Sequence, residues 1–260
     1  MMKRSKFEIT VKDIVDSYIG IKINKLFDGR RELTQPKCLS TLFANYNITD
    51  KPRVLTPVRP INQKPRDFLL CDATAYRSLL GGLIFLLRTR FDIAFAVSIA
   101  ATKSRAPTIS DMDDLQYLFQ TQDKGLILEN CTPHEKLHLT CYVDASWLSH
   151  PDSRSQTGFC LSFGKTGAFY AKSVKQSTVM TSTSSAEMRA LFQLVQEVIF
   201  IIGLCKELER PLHLPVLILE DNESTIFLAT QEAMRLKRAK HFLMLIHYVK
   251  EQIDAGLITP

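Results

Sequence analysis

From Leu137 onward the chain settles into alternation. Leu137, Leu139, Cys141 and Val143 alternate with His138, Thr140, Tyr142 and Asp144, the period of a strand with one face in a core and the other in water. Phe159, Leu161 and Phe163 repeat the pattern, Gly164-Lys165-Thr166-Gly167 supplies a turn, and Ala168 to Ser173 reads as a returning third strand. Ser184 to Leu208 then switches to helical spacing, with Leu191, Val195, Val198, Ile202 and Cys205 among its inward positions. Val216 to Leu219 is short and wholly apolar, bounded by Pro215 and an acidic pair, the pattern of a strand covered on both faces. Helices follow near Glu223 to Gln231 and Ala239 to Ile253. Three antiparallel strands, a helix, a parallel strand and further helices predict an α/β layered domain of roughly 120 residues, within the usual range for one domain.

The first half is mixed. A strand is expected over Tyr18 to Ile23 and a helical patch over Leu39 to Ala44. Thr49 to Pro65 carries Pro52, Pro57, Pro60 and Pro65, which predicts an extended connection. Helices are expected over Ala75 to Leu87, Asp92 to Lys103 and Met112 to Gln122, and the charged, turn-prone stretch Glu129 to Lys136 marks the boundary with the second half. Leu79 to Ala101 is long enough for a membrane span, but Arg88, Arg90 and Asp92 fall near its middle, where charge is costly in lipid. Two buried helices broken around Thr89 to Phe91 fit it better.

Composition changes the picture modestly. Of 260 residues, 45% are hydrophobic and 23% charged, ordinary for a folded protein, and the net charge of +6 favours a polyanionic partner. The cysteines (Cys38, Cys71, Cys131, Cys141, Cys160, Cys205) show no metal-ligand spacing and read as reduced, mostly buried thiols. Met1 to Thr10 carries Lys3, Arg4 and Lys6 with no apolar run behind them, so it lacks the form of a signal peptide and reads as the interior of something longer. The expectation is an intracellular protein, in cytoplasm or nucleus.

Three acids stand at junctions of these elements: Asp144 in Tyr-Val-Asp-Ala, Glu187 in Ser-Ser-Ala-Glu and Asp221 in Leu-Glu-Asp-Asn. Each has a plain structural explanation. Glu187 completes a capping box with Ser184, Asp221 is suited to capping the helix after its strand, and Asp144 to a turn. Together they have another reading. Strand ends and helix starts can meet at one sheet edge, and an oxygen-only cluster suits Mg²⁺, with Mn²⁺ as an alternative. Paired divalent ions serve phosphodiester hydrolysis. Lys172 and Lys175 after the third strand, and Arg235, Lys237, Arg238 and Lys240 before the last helix, are candidates for the nucleic-acid backbone, although a charge run is commonly just a solvated surface.

Longer motifs support the second reading. Tyr142-Val143-Asp144-Ala145-Ser146-Trp147, Arg154-Ser155-Gln156-Thr157-Gly158-Phe159, Ala171-Lys172-Ser173-Val174-Lys175-Gln176, Ala186-Glu187 and Asp221-Asn222 together resemble the ribonuclease H domain of copia-type retrotransposon Pol polyproteins. Tyr76-Arg77-Ser78-Leu79-Leu80-Gly81 and Thr89-Arg90-Phe91-Asp92-Ile93-Ala94 resemble the segment joining the reverse transcriptase to that domain, and Tyr18-Ile19-Gly20-Ile21-Lys22-Ile23 the end of the polymerase region. The resemblance covers nearly the whole chain. It implies a ribonuclease H-like mixed sheet flanked by helices over 136–260, a helical connection over 66–135 and a polymerase remnant over 1–65. It also implies cleavage of RNA in RNA–DNA hybrids, Mg²⁺ held by Asp144, Glu187 and Asp221, and the rest of a reverse transcriptase as a partner.

Three departures qualify it. The polymerase Tyr-x-Asp-Asp box is missing from this chain, which therefore is not expected to polymerise DNA by itself. Ser185 replaces the first acid of the family's Glu-Ala-Glu. Leu243, two residues after Lys240-His241, occupies the position of a fourth acid. Helical spacing groups Leu243 with His247, Lys250 and Asp254, opposite Phe242, Leu245, Ile246, Val249 and Ile253. Two functions follow: a metal-dependent endonuclease, active or weakened, and a decayed or co-opted fragment that holds nucleic acid without cutting it. A different nuclease or recombinase on the same fold is a weaker third.

Overall fold

The computed structural model describes residues 15–46, 48, 54–58, 67–121, 125–129, 136–164, 167–231 and 240–260, with only the backbone at 240 and 241. Ser17–Tyr18 (β1) and Ile21–Lys25 (β2) form a hairpin whose turn residues Ile19 and Gly20 have φ of 47° and 78°. The single strand expected over Tyr18 to Ile23 is therefore two, because Gly20 takes the left-handed backbone readily and the chain reverses there. Arg31–Thr34 (β3) pairs with β2. After the helices Pro36–Tyr46 (α1), Ala73–Leu86 (α2), Ala94–Lys103 (α3) and Ile109–Leu118 (α4), Leu126–Leu128 (β4) returns to the far edge of β3. Helix α4 starts ahead of the expected Met112 because Thr108 and Asp111 cap each other's backbone N–H groups.

Leu42, Tyr76, Leu79, Leu83, Leu86, Ile93 and Leu115 form the core of this half. Gly82 of α2 has no side chain where Leu42 of α1 packs, so the two helices approach closely. The charges that argued against a membrane span are accommodated in the fold. Buried Arg90 makes a two-pronged ion pair with Asp92 (2.8 Å each) and donates to Thr121 Oγ1 at 2.7 Å, so its burial leaves few donors unsatisfied. Most of the proline-rich connection and residues 130–135 of the expected boundary lie outside the described residues.

The second half is built on Leu139–Ser146 (β5), which pairs antiparallel with Gln156–Phe163 (β6), itself paired with Tyr170–Lys175 (β7). The helix Thr183–Glu207 (α5) lies against one face of this sheet. Val216–Leu219 (β8) then runs parallel to the other edge of β5, followed by Glu223–Thr230 (α6), Lys240–Asp254 (α7) and Ile258–Thr259 (β9), which pairs parallel with β8. The order is β7-β6-β5-β8-β9, three antiparallel strands and then parallel ones, a mixed sheet flanked by helices as the resemblance implies.

Alternation decides what the sheet buries. Leu139, Cys141, Val143, Phe159, Leu161, Val216 and Ile218 face α5, whose Met188, Leu191, Leu194, Val195 and Val198 complete the core. Helix α5 is long and apolar enough to cross a membrane by length and composition, and this packing accounts for its apolar side. Leu217 and Leu219 are 43% and 41% exposed, so β8 is covered on one face and not on two as its composition suggested. On α7, Leu245, Ile246 and Val249 are buried while Lys250 pairs with Asp254, as the helical spacing required. The described cysteines are all free, but only Cys141 and Cys205 are buried.

A buried polar junction joins the halves. Gln156 of β6 donates to Ser98 Oγ of α3 (3.0 Å) and to Ser173 Oγ of β7 (2.8 Å), and its carbonyl oxygen meets His150 Nε2 at 2.7 Å.

Candidate metal centre

Strand pairing brings the acids together. The parallel register sets Tyr142 of β5 opposite Leu219 of β8, so Asp144 and Asp221, each two residues further along, emerge at neighbouring strand ends. Helix α5, packed on β5, presents Glu187 from its N-terminal end. Carboxylate oxygens of Asp144, Glu187 and Asp221 lie within 4.8 Å of one another.

The plain structural explanations fail locally. The N-cap of α5 is Ser182, whose Oγ accepts from the Ser185 N–H (3.2 Å), so Glu187 sits beyond the first turn and is no part of a capping box. The N-cap of α6 is Asn222, accepting from the Thr225 N–H (2.9 Å), so Asp221 lies outside the helix. Asp144 is inside β5, opposite Gly158, and makes no turn. None of the three is held in place by the capping or turn role its sequence context offered.

The electrostatics are those of a site lacking positive charge. Glu187 is 3% exposed. Burial pushes its carboxyl up to about 8, with Glu220, Asp144 and Asp221 adding to the rise and the Ala145 backbone N–H opposing it. Glu220, immediately before Asp221, is pushed to about 7 by burial and further by Asp221 and Asp144, against the pull of the Asn222 N–H. Oε2 of Glu187 and Oε2 of Glu220 are both buried with no hydrogen-bond partner. A buried carboxylate oxygen without a donor is costly, and a divalent cation would satisfy it. The residues thus fit a hard cation held by oxygen ligands. Glu220, half-buried and directly after β8, escaped the sequence reading, which singled out Asp221 beside it.

The candidate nucleic-acid residues separate. Cross-strand register puts Asp144, Gly158 and Ser173 on one face of the sheet, and Lys175, two residues along, on the same face. There Lys175 pairs with Asp152 at 2.8 Å. Lys172 is on the opposite face, above the Phe159 ring and 3.3 Å from Glu197 of α5. Lys237 and Arg238 lie outside the described residues, and Lys240 opens α7 with its side chain undescribed. Trp147 donates from Nε1 to the Met180 carbonyl (3.0 Å), tying the end of β5 to the loop before α5.

No family model matches the chain. It is 29% identical over 264 residues to the retrovirus-related Pol polyprotein from transposon RE1 of Arabidopsis thaliana, covering 97% of this chain and 17% of that protein. An uncharacterized mitochondrial protein of the same plant is 30% identical over 188 residues, 70% of this chain and 77% of that protein. The chain therefore spans about a sixth of the length of the Pol relative. Among solved structures, LC11-RNase H1 isolated from compost aligns with 47% of this chain and 82% of its own, at 16% identity and a TM-score of 0.33.

Proposed function

Since the chain belongs to the family of copia-type, retrovirus-related Pol polyproteins, we propose that it is a metal-dependent ribonuclease H that cuts the RNA strand of an RNA–DNA hybrid. The observation that carries this reading is the meeting of Asp144, Glu187 and Asp221, from three separate elements, with carboxylate oxygens within 4.8 Å. Mg²⁺, with Mn²⁺ as an alternative, is the cation such ligands suit. Held by these carboxylates, divalent cations would activate a water and neutralise charge on the leaving oxygen.

The chain's own residues do the positioning. Asp144 and Asp221, both exposed, offer oxygens at the sheet edge, and Glu187 closes the site from the protein side, steadied by the Ala145 N–H. Gly158 adds no side chain beside Asp144, which leaves its flank open to a nucleic-acid strand. Lys175, on the Asp144 face, is placed for a phosphate; Lys172 is turned toward α5. A hybrid would be recognised through its backbone, shape and 2′-hydroxyls. The division into a polymerase remnant (1–65), a connection (66–135) and a nuclease (136–260) belongs to the same proposal. So do the rest of a reverse transcriptase as partner and residence in cytoplasm or nucleus.

Leu243 favours a second reading, in which the chain holds nucleic acid without cutting it. Following hybrid retention and RNA scission in one sample with Mg²⁺ or Mn²⁺ separates the two. Scission abolished by Asp144→Asn supports the first. Retention without scission, with cutting gained on Leu243→Asp, supports the second. Scission that survives Asp144→Asn refutes the first.

A further inference from the structure

Glu187 reaches the metal centre from the second turn of the 25-residue helix α5, and helix ends are where backbone order is lost first. That end is tied to the sheet by Gln176, the residue immediately after β7. Its backbone N–H donates to the Ser155 carbonyl at 2.8 Å, which continues the β6–β7 ladder by one pair and turns the side chain to the α5 face. There the amide Nε2 donates to the Ala186 carbonyl and to Thr157 Oγ1, both at 3.0 Å. Gln176 is 1% exposed, and Thr157 and Ala186 are fully buried. A carbonyl can only accept, so the bond to Ala186 fixes which end of the amide is the nitrogen. The amide oxygen is then left buried with no hydrogen-bond partner. An apolar side chain would fill the place without that cost. The two donated bonds, and not packing, account for a glutamine here.

Both bonds lead to Glu187. Ala186 is its neighbour in α5, and Thr157 is the cross-strand partner of Ala145, whose backbone N–H steadies the Glu187 carboxylate. Thr225 of α6 also reaches this end of the helix, but its hydroxyl lies 3.4 Å from the Ser184 carbonyl and nearer, at 3.1 Å, to Asn222 Oδ1. We propose that Gln176 is a positioning residue of the metal centre: its side-chain amide locks the start of α5 to β6 and so holds Glu187 in place against Asp144. This rests on the reading of Asp144, Glu187 and Asp221 as metal ligands. Gln176 acts through Glu187 and does not itself touch the cation.

The test is Mn²⁺ binding to the full chain, by calorimetric titration and by the Mn²⁺ electron-spin signal, in wild type, Gln176→Met, Gln156→Leu and Asp144→Asn. Circular dichroism in EDTA checks each fold. Gln176→Met keeps the volume and removes the two donated bonds. It is expected to stay folded, to weaken Mn²⁺ affinity on the order of 10-fold, the lower end of the range for residues that orient metal ligands, and to change the line shape of the bound ion. Gln156→Leu removes a comparable buried amide on the other face of the sheet and is expected to keep wild-type affinity and line shape. Gln176→Asn, one methylene too short to reach both acceptors, is expected to show the same loss and serves if the methionine variant does not fold. Wild-type affinity and line shape in the folded Gln176 variants, with loss in Asp144→Asn, would overturn this inference and leave the proposed function standing. So would an equal loss in Gln156→Leu, or failure of both Gln176 variants to fold, since either makes Gln176 a residue of the fold at large. Unchanged binding in Asp144→Asn would overturn the underlying site reading.

Discussion

Replacing Glu187 by Gln isolates the electrostatic cost of the centre. The carboxyl is 3% exposed and raised from an ordinary 4.5 to about 8. At roughly 1.4 kcal/mol per unit, its ionised form is disfavoured in the folded chain by about 5 kcal/mol. The sign follows from proton counting. Below about pH 4.5 folded and unfolded chains both carry the proton, and the group contributes no pH dependence. Between 4.5 and about 8 the unfolded chain releases it while the folded chain keeps it, so stability falls as pH rises and levels off above that window. Urea unfolding in EDTA at a series of pH values reads this directly. Wild type is expected to lose several kcal/mol relative to Glu187→Gln between about pH 5 and about pH 8.5, a difference that cancels the other titrating groups. Saturating Mg²⁺ is expected to remove most of the loss in wild type and to do little for the variant. Parallel profiles for the two proteins without metal would refute the reasoning.

Two further consequences can be measured independently. Gln156→Leu deprives Ser98, His150 and Ser173 of a shared partner, and a loss of about 1–3 kcal/mol is expected from urea unfolding, with the metal centre intact by Mn²⁺ titration. Lys175→Ala is expected to reduce the salt dependence of hybrid binding by about one unit of slope, whereas Lys172→Ala, on the α5 face, leaves it unchanged.

Much of the second half was legible because its alternation is regular. Strands β5 and β6, helix α5 and the order antiparallel then parallel follow from where apolar residues recur, and the three acids were identifiable as a set. The hidden parts depended on contacts distant in sequence. Strands β3 and β4 are short, β4 being an edge strand defined by its pairing with β3, and β9 is two residues defined by pairing with β8. The apolar run of β8 implied two covered faces, yet Leu217 and Leu219 are open. The start of α5 was misplaced because Ser182, Ser184 and Ser185 can each cap a helix. The true cap at Ser182 releases Glu187 from that role. Glu220 was overlooked beside Asp221 because adjacency in sequence conceals their different surroundings: Asp221 is exposed, whereas Glu220 is half-buried with one oxygen fully so.

The most direct test follows one hybrid with its RNA and DNA strands separately labelled, incubated with the purified chain in Mg²⁺, in Mn²⁺ and in EDTA. The account predicts fragments from the RNA strand alone, with either metal, none in EDTA and none from Asp144→Asn. An intact RNA strand under both metals, or equal fragmentation by Asp144→Asn, would contradict it.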